Sequence, residues 1–290
     1  MNDSVSQMPQ NYEIGTMMQI SDKEFLIMRD LIYDHFGINL TEQKKSLLVG
    51  RLQKQIRCLG FTNFKDYYNY LTSDKTGQAL STLVNFISTN YTFFSREKEH
   101  FDYFTSTALP NVIAQVKNRN ERQIRIWCAG CSSGQEAYML AMLVLDYLGK
   151  EYGSWDAGIL ATDISVPVLE KARAGIYPDE QIKVLPKKFL YNYFKNLGRG
   201  EWAVNEKVKK EITFRRFNLM NKQFPFKKPF QIIFCRNVMI YFDQPTRDAL
   251  VKNFHQFLEP NGYLFIGHSE SIGRGQNLFK YIKPALYRRI

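Results

Sequence analysis

A short strand, a loop of small residues and a helix follow one another directly, and this unit constrains the fold more than any other stretch of the chain. The apolar strand covers 124–127, the loop contains Gly130 and Gly134, and a helix is predicted to begin near Gln135. Glycine lets a backbone approach a bound molecule closely, and the first amides of a helix have no partner within it. The unit indicates a ligand-binding loop, although a tight structural turn would show the same pattern. Its glycine spacing departs from G-x-G-x-x-G, so a nucleotide without a pyrophosphate fits better than NAD.

Cys128 and Cys131 lie in the same loop with the spacing C-x-x-C. A redox pair or half of a zinc site is one interpretation of this spacing. A zinc site would need a second pair of ligands at suitable spacing, and the four cysteines of the chain do not supply one. We therefore expect small buried residues beside a ligand, and no metal.

Further strands alternate with helices, and each ends at a polar residue. One strand covers 157–161 and leads to Asp163, one ends at Asn218, and one runs through 230–235 into Arg236. Alternating strands and helices predict a mainly parallel sheet, in which ligands bind at the carboxyl ends of the strands. We therefore expect these polar residues to meet at one site. Asp163 would there accept hydrogen bonds from a ribose, or would only cap a turn.

The chain is predicted to divide into a tail, a helical domain and an α/β domain. Residues 1–19 are polar and aperiodic and predict a loose tail, whereas 20–87 shows helical periodicity. The α/β domain is predicted to cover 88–290 and to begin with a polar and aromatic linker. Within it, 176–212 breaks the alternation of strands and helices and predicts an inserted β-subdomain.

The formal net charge of +11 indicates an acidic partner. Charge alone does not distinguish nucleic acid from an acidic protein surface. Part of the charge lies on one predicted helix, on the side opposite an apolar face that includes Leu48 and Leu52. The cations on that side are Lys44, Arg51, Lys54 and Arg57. A solvated surface is the commoner explanation for such a face, and a docking surface is the alternative.

The hydrophobic content of 44% is that of an ordinary globular protein. No apolar run approaches the roughly 20 residues that span a bilayer, and the first residues lack the order of a signal peptide. We therefore expect a cytoplasmic protein.

Five segments together resemble the chemotaxis receptor glutamate O-methyltransferases, the CheR family, over 20–290. The segments are Thr89-Asn-Tyr-Thr-Phe-Phe-Ser-Arg-Glu, Trp127-Cys-Ala-Gly-Cys-Ser-Ser-Gly-Gln-Glu-Ala-Tyr, Ala161-Thr-Asp-Ile-Ser, Phe217-Asn-Leu and Phe234-Cys-Arg-Asn-Val-Met-Ile-Tyr-Phe. The resemblance implies a mainly parallel, doubly wound Rossmann-like sheet of the class I methyltransferases, with an N-terminal all-helical domain and a small inserted β-subdomain. It also implies S-adenosylmethionine as the cofactor and S-adenosylhomocysteine as the product.

The resemblance implies roles for individual residues as well. Asp163 would bind the ribose hydroxyls, and Glu136 would bind the amino group of the cofactor's methionine. Gln135 stands where many relatives have another glutamate, which leaves that contact to Glu136. Arg96 and Tyr241 would lie nearest the transferred methyl group. The other expected cofactor contacts are Asn218 and Leu219 at the adenine, and Asn90, Thr92, Arg96, Gly130, Arg236 and Asn237.

The implied substrate is a glutamate side chain on a methyl-accepting chemoreceptor. Its carboxylate has a reference pKa of about 4.3, so it is ionised at neutral pH and needs no general base. The acidic methylation helices of receptors would face the basic helix. Some relatives also bind the C-terminal tail of a receptor at the β-subdomain by strand addition. The protein would reach the membrane only through its receptors.

Two other functions compete with this one. A nucleic-acid methyltransferase on the same fold would agree with the charge, but its site should show an Asn/Asp-Pro-Pro-aromatic loop after the fourth strand. This chain has Arg236, Asn237 and Val238 there. A scaffold that keeps the pocket only as a sensor would not need Arg96 and Tyr241. We therefore expect an enzyme without a nucleic-acid partner.

Overall fold

A computed structural model describes residues 17–273 and 277–290. A loose tail is predicted over 1–19, and residues 1–16 of it lie outside the described residues. Positions 17–21 precede the first helix and form neither helix nor strand.

Across the described residues, the chain forms twelve α-helices and ten β-strands. The helices are α1 (Asp22–Phe36), α2 (Lys45–Cys58), α3 (Phe64–Ser73), α4 (Gln78–Ile87), α5 (Lys98–Tyr103), α6 (Leu109–Asn118), α7 (Gln135–Leu148), α8 (Val166–Ala174), α9 (Asp179–Ile182), α10 (Lys187–Tyr193), α11 (Glu206–Lys209) and α12 (Gln244–Phe257). The strands are β1 (Gln123–Ala129), β2 (Asp156–Asp163), β3 (Ile176–Pro178), β4 (Phe194–Gly198), β5 (Glu201–Val204), β6 (Ile212–Arg216), β7 (Phe230–Cys235), β8 (Leu258–Ile266), β9 (Phe279–Lys283) and β10 (Leu286–Arg289).

The first four helices form an N-terminal helical domain around their own apolar core. Ser21 caps α1, and Glu24 completes a capping box with it. On α2, the side chains of Leu48 and Leu52 are buried in this core, as are those of Val49 and Ile56. The apolar face predicted for α2 is therefore confirmed. The helical domain ends at α4, directly before the polar linker.

Seven strands form the central sheet, in the order β6-β2-β1-β7-β8-β10-β9. The strands β6, β2, β1, β7 and β8 are mutually parallel, and β10 is antiparallel to both of its neighbours. The strand order reverses between β1 and β7, and such a switch point is where ligands bind in open α/β sheets. The predicted mainly parallel α/β fold is confirmed.

Helices cover both faces of this sheet. Alternate side chains of β1 point to opposite faces, so that Ile126 joins the core containing α7, whereas Trp127 joins the core containing α12. Trp127 is fully buried there, and its indole N–H donates to Thr162 Oγ1 at 2.9 Å. Because both faces are covered, only the ends of the strands are open to a ligand.

The inserted segment forms a separate three-stranded antiparallel sheet in the order β3-β5-β4. Strands β4 and β5 form a hairpin that turns at Gly198 and Gly200. Both glycines have positive φ, at 80° and 77°. The short helices α9, α10 and α11 complete the subdomain. The sequence pattern predicted the subdomain but not these helices.

A π-helical turn over Phe104–Ala108 joins α5 to α6 in one continuous helical stretch. The sequence predicts helices over 97–104 and 109–117 with a break at Pro110. Both helices are present as α5 and α6, but the interruption is the π turn before Pro110. In a uniform α-helix the proline ring would clash with the carbonyl four residues earlier. Pro110 instead lies in the first turn of α6, directly after the π turn, where the hydrogen-bond register has changed.

Candidate active site

A cleft with an empty volume of about 1090 Å³, part of it open to solvent, lies at the carboxyl ends of the central strands. The helical domain contributes Phe36, Ile38 and Val84 to its lining, so the cleft lies between the two domains. Every residue predicted to bind the cofactor or to act in catalysis lines this cleft. They are Asn90, Thr92, Arg96, Gly130, Glu136, Asp163, Asn218, Leu219, Arg236, Asn237 and Tyr241. Their individual roles remain predictions.

The glycines of the loop after β1 are needed for a different reason from the one expected. Gly130 has φ of +88°, and a Cβ there would lie 2.4 Å from Val238 Cγ2. Gly134 has φ of +94°, and a Cβ there would lie 2.9 Å from the Cβ of Ala172. Both glycines therefore make room for neighbouring protein, and they bring the loop close enough to line the cleft.

Asp163 is the last residue of β2, and its side chain is buried. Its Oδ2 accepts from the backbone N–H of Ser132 at 2.8 Å, and its Oδ1 accepts from that of Ser165 at 3.0 Å. Burial raises the pKa of the carboxyl, and these N–H donors oppose the rise. The backbone N–H of Ile164 is a third donor to this carboxylate, so one of its four acceptor positions is left for a hydroxyl. Asp163 thus caps a turn and also faces the cleft.

Arg236 follows β7 and lies between two carboxylates. Its Nη1 is 2.7 Å from Oε2 of Glu136, and its Nη2 is 3.1 Å from Oε2 of Glu97. Only 2% of its side chain is exposed. Asn237 donates from Nδ2 to the other oxygen of Glu97 at 3.2 Å. Burial raises the pKa of the Glu97 carboxyl, but Arg236 and Asn237 outweigh burial, and the pKa lies below its usual value.

Sequence reasoning did not single out Glu97, although it adjoins Arg96 in the linker. Nothing in the local pattern pairs it with an arginine 139 residues away. Its backbone is in the left-handed region, at φ of +53°. Such a conformation is uncommon outside glycine and occurs often at functional sites.

A second acidic residue missed from the sequence, Glu270, holds the loop after β7. Its carboxylate accepts from the backbone N–H of Asn237 at 2.9 Å, of Ile240 at 3.1 Å and of Gly267. Burial raises the pKa of Glu270, and these donors oppose the rise. Glu270 therefore fixes the path of the backbone that carries Tyr241.

The two residues predicted to act in catalysis are both half-buried at the cleft. Arg96 Nη1 donates to the carbonyl of Tyr91 at 2.9 Å, which folds the arginine back over its own linker. The backbone carbonyl of Tyr241 accepts from the N–H of Asn39 at 2.8 Å, and Ile38 forms an antiparallel bridge with Phe242. The helical domain thus helps to position Tyr241.

Asn218 also connects the two domains. Its Nδ2 donates to the carbonyl of His35 at 2.8 Å, and its Oδ1 accepts from the N–H of Met220 at 3.0 Å. An amide nitrogen has two N–H donors and an amide oxygen has two acceptor positions. One donor and one acceptor position are therefore left for the expected contact with an adenine.

The cations predicted to dock a partner lie on and directly before α2, outside the cleft lining of the described residues. We call Lys44, Arg51, Lys54 and Arg57 the basic face. Lys54 and Arg57 are exposed, and Lys44 donates to the carbonyl of Asn39 at 3.3 Å. Arg51 differs, because it donates to Oγ1 of Thr89 at 2.6 Å and to the carbonyl of Ile87. Arg51 therefore holds the linker, in addition to any contact with a partner.

One group of side chains has the composition of a metal site. Glu97, His100 and His268 each place a ligand atom within 4.8 Å of the others. Both Glu97 oxygens already accept from Arg236 and Asn237. Burial, and next the charge of Arg236, lower the pKa of His100 to about 3, so its ring is neutral. The expectation that the site holds no metal remains a prediction.

Both domains match models of the same protein family. A model of the CheR methyltransferase S-adenosylmethionine-binding domain matches residues 90–287, and a model of the CheR all-alpha domain matches residues 23–88. The chain is 43% identical over 272 residues to a chemotaxis protein methyltransferase of Borreliella burgdorferi, covering 94% of this chain and 96% of the relative. It is 37% identical to the chemotaxis protein methyltransferase of Escherichia coli, covering 93% and 92%. No helix among the described residues is both long and apolar enough to cross a membrane.

Proposed function

Because this chain belongs to the CheR family of chemotaxis protein methyltransferases, which use S-adenosylmethionine, we propose that it methylates glutamate side chains of chemoreceptors. The product would be a glutamate methyl ester. The observation that carries the proposal is the convergence at one cleft of polar groups from the linker, from the end of β2 and from the segments that follow β1 and β7. These groups suit a nucleoside on one side and a carboxylate on the other.

The residues of the cleft fit the cofactor. Asp163 lines the cleft and keeps an acceptor position that a ribose hydroxyl can use. The Glu136 carboxylate lines the cleft and can accept from the amino group. Asn218 and Leu219 also line the cleft, and we propose that they contact the adenine. When bound, the cofactor supplies a methyl group on a positively charged sulfur.

The chain's own task in the reaction is to hold a carboxylate in place and to keep water away from it. The carboxylate of a glutamate is ionised at neutral pH, so no residue has to remove a proton. The Arg96 guanidinium can orient it through charge-assisted hydrogen bonds, and the Tyr241 hydroxyl can donate one more. Phe36 and Ile38 of the helical domain close part of the cleft against solvent.

We also propose separate tasks for the domains. The helical domain over 20–87 would dock the receptor through its basic face, and 88–290 would carry out the transfer. The β-subdomain over 176–212 is a second candidate contact, for a receptor tail. The enzyme would act in the cytoplasm and would meet the membrane only through its receptors. The exposed cations of α2 support the docking role.

The test is transfer of labelled methyl from S-adenosylmethionine to membranes rich in chemoreceptors. We expect label on the receptor that mild base releases as methanol, since esters hydrolyse where N-methyl and C-methyl groups do not. Membranes from cells without receptors are the control and should remain unlabelled. Base-stable label on nucleic acid would instead support the competing methyltransferase function.

A further inference from the structure

Arg236, Glu136 and Glu97 form a buried group in which two carboxylates share one guanidinium. The guanidinium uses its Nη1 for Glu136, whereas its Nε and Nη2 both donate to Oε2 of Glu97, at 3.4 and 3.1 Å. Its Nη2 also donates to the backbone carbonyl of Arg96. Each glutamate side chain is 14% exposed. The group as a whole therefore carries one net negative charge next to the cleft.

The two glutamates differ in what they can reach. Glu136 and Arg236 line the cleft, whereas Glu97 is absent from its lining among the described residues. Both oxygens of Glu97 are already used, by Arg236 and by Nδ2 of Asn237. Glu97 can therefore influence a ligand in the cleft through Arg236 and through Asn237, both of which line it.

A guanidinium with a single carboxylate partner frequently binds it through two parallel N–H donors. If Arg236 had only Glu136, the pair would be neutral, and the acceptor positions of Glu136 would be directed to Arg236. Glu97 occupies the edge of the guanidinium formed by Nε and Nη2, which leaves one nitrogen for Glu136.

We propose that Glu97 is a positioning residue for the amino group of the cofactor. By holding Arg236 and balancing its charge, Glu97 leaves Glu136 with the charge and the open acceptor positions that an ammonium group requires. This inference rests on the role of Glu136 in the proposed function.

The test measures the affinity of one protein sample for two ligands by calorimetry. The first ligand is S-adenosylhomocysteine, and the second is its analogue that lacks the α-amino group. We expect the wild-type protein to prefer the first ligand. In Glu97→Gln, which keeps the shape of the side chain, this preference should fall about tenfold, as expected for loss of one charge-assisted contact. Equal weakening of both ligands would show a purely structural role and would overturn the inference.

Three further variants separate the possible failures. Glu97→Asp keeps the charge and should retain most of the preference, so a loss as large as in Glu97→Gln would contradict a role for charge. Glu99→Gln removes an exposed carboxylate two residues away and should leave both affinities unchanged. Glu136→Gln should abolish the preference. If it does so while Glu97→Gln has no effect, the role of Glu97 is wrong and that of Glu136 stands. If Glu136→Gln leaves the preference intact, both roles are wrong.

Discussion

The cleft and the basic face of α2 both depend on cations, but the cations have different surroundings. Arg236 in the cleft is almost fully buried and makes two ion pairs within the protein. Lys54 on the basic face is exposed to solvent. A buried charge must be matched by an opposite charge nearby, whereas water stabilises an exposed one. The cleft cations therefore fix geometry, and those of the basic face can act on an approaching partner.

The largest difference between the two regions should appear in stability. Arg236→Met would leave the carboxylates of Glu97 and Glu136 buried without their cation, and the free energy of unfolding should fall by about 3–5 kcal/mol at pH 7. Without Arg236, burial would raise the pKa of the Glu97 carboxyl, so the loss should become smaller as the pH falls and this group is protonated. Urea unfolding at pH 7.5 and pH 5.5 measures both effects.

The matched substitution on the basic face is Lys54→Met. Because Lys54 is exposed, the same measurement should change by no more than about 0.5 kcal/mol, with little dependence on pH. If the free energy of unfolding falls equally in Arg236→Met and Lys54→Met, burial does not explain the difference between the two regions.

The second largest effect should be on the reaction rate. Arg96→Ala should lower kcat about 100-fold and Tyr241→Phe about tenfold, because each removes a donor to the carboxylate. The affinity for S-adenosylmethionine should change less than about threefold in both, since most of the expected cofactor contacts, including Asp163 and Glu136, are unchanged. Single-turnover methylation and calorimetry give the two values. Equal losses of binding and turnover would contradict these roles.

Topology explains why the positions of the cleft residues could be predicted. Asp163 ends a strand of the parallel sheet, and Asn218 and Arg236 follow two others. Parallel strands bring their carboxyl ends to one edge. The prediction needed only the order of strands and helices. The same reasoning located Gly130, although the structure gives packing against Val238 as the reason for glycine.

Long-range partners of single side chains could not be predicted in this way. Glu97 pairs with Arg236 across 139 positions, and Arg51 reaches Thr89 across 38. A helical wheel shows which side of α2 is polar, but it does not show where a long, flexible side chain turns. Such contacts depend on how the domains pack, which a local pattern does not contain.

Arg51 belongs to the basic face, but like Arg236 in the cleft it donates hydrogen bonds to groups within the protein. Arg51→Ala should destabilise the protein by about 1–2 kcal/mol, because it removes hydrogen bonds to Ile87 and Thr89. Since Thr89 lines the cleft, we also expect S-adenosylmethionine to bind about three- to fivefold more weakly. Lys54→Ala is the control and should change neither quantity. If Arg51→Ala affects only receptor methylation, Arg51 acts in docking alone.

The smallest effect should come from reversing exposed charges on the basic face. Lys54→Glu combined with Arg57→Glu should lower kcat/KM for receptor methylation about three- to tenfold at low salt, because the cations would no longer attract an acidic helix. The salt dependence should weaken as well, since added salt screens an attraction that the variant has lost. Lys227→Glu with Lys252→Glu changes the net charge equally at other exposed positions and should have a smaller effect. If both pairs slow methylation equally, the overall charge is responsible, and the basic face is not a docking surface.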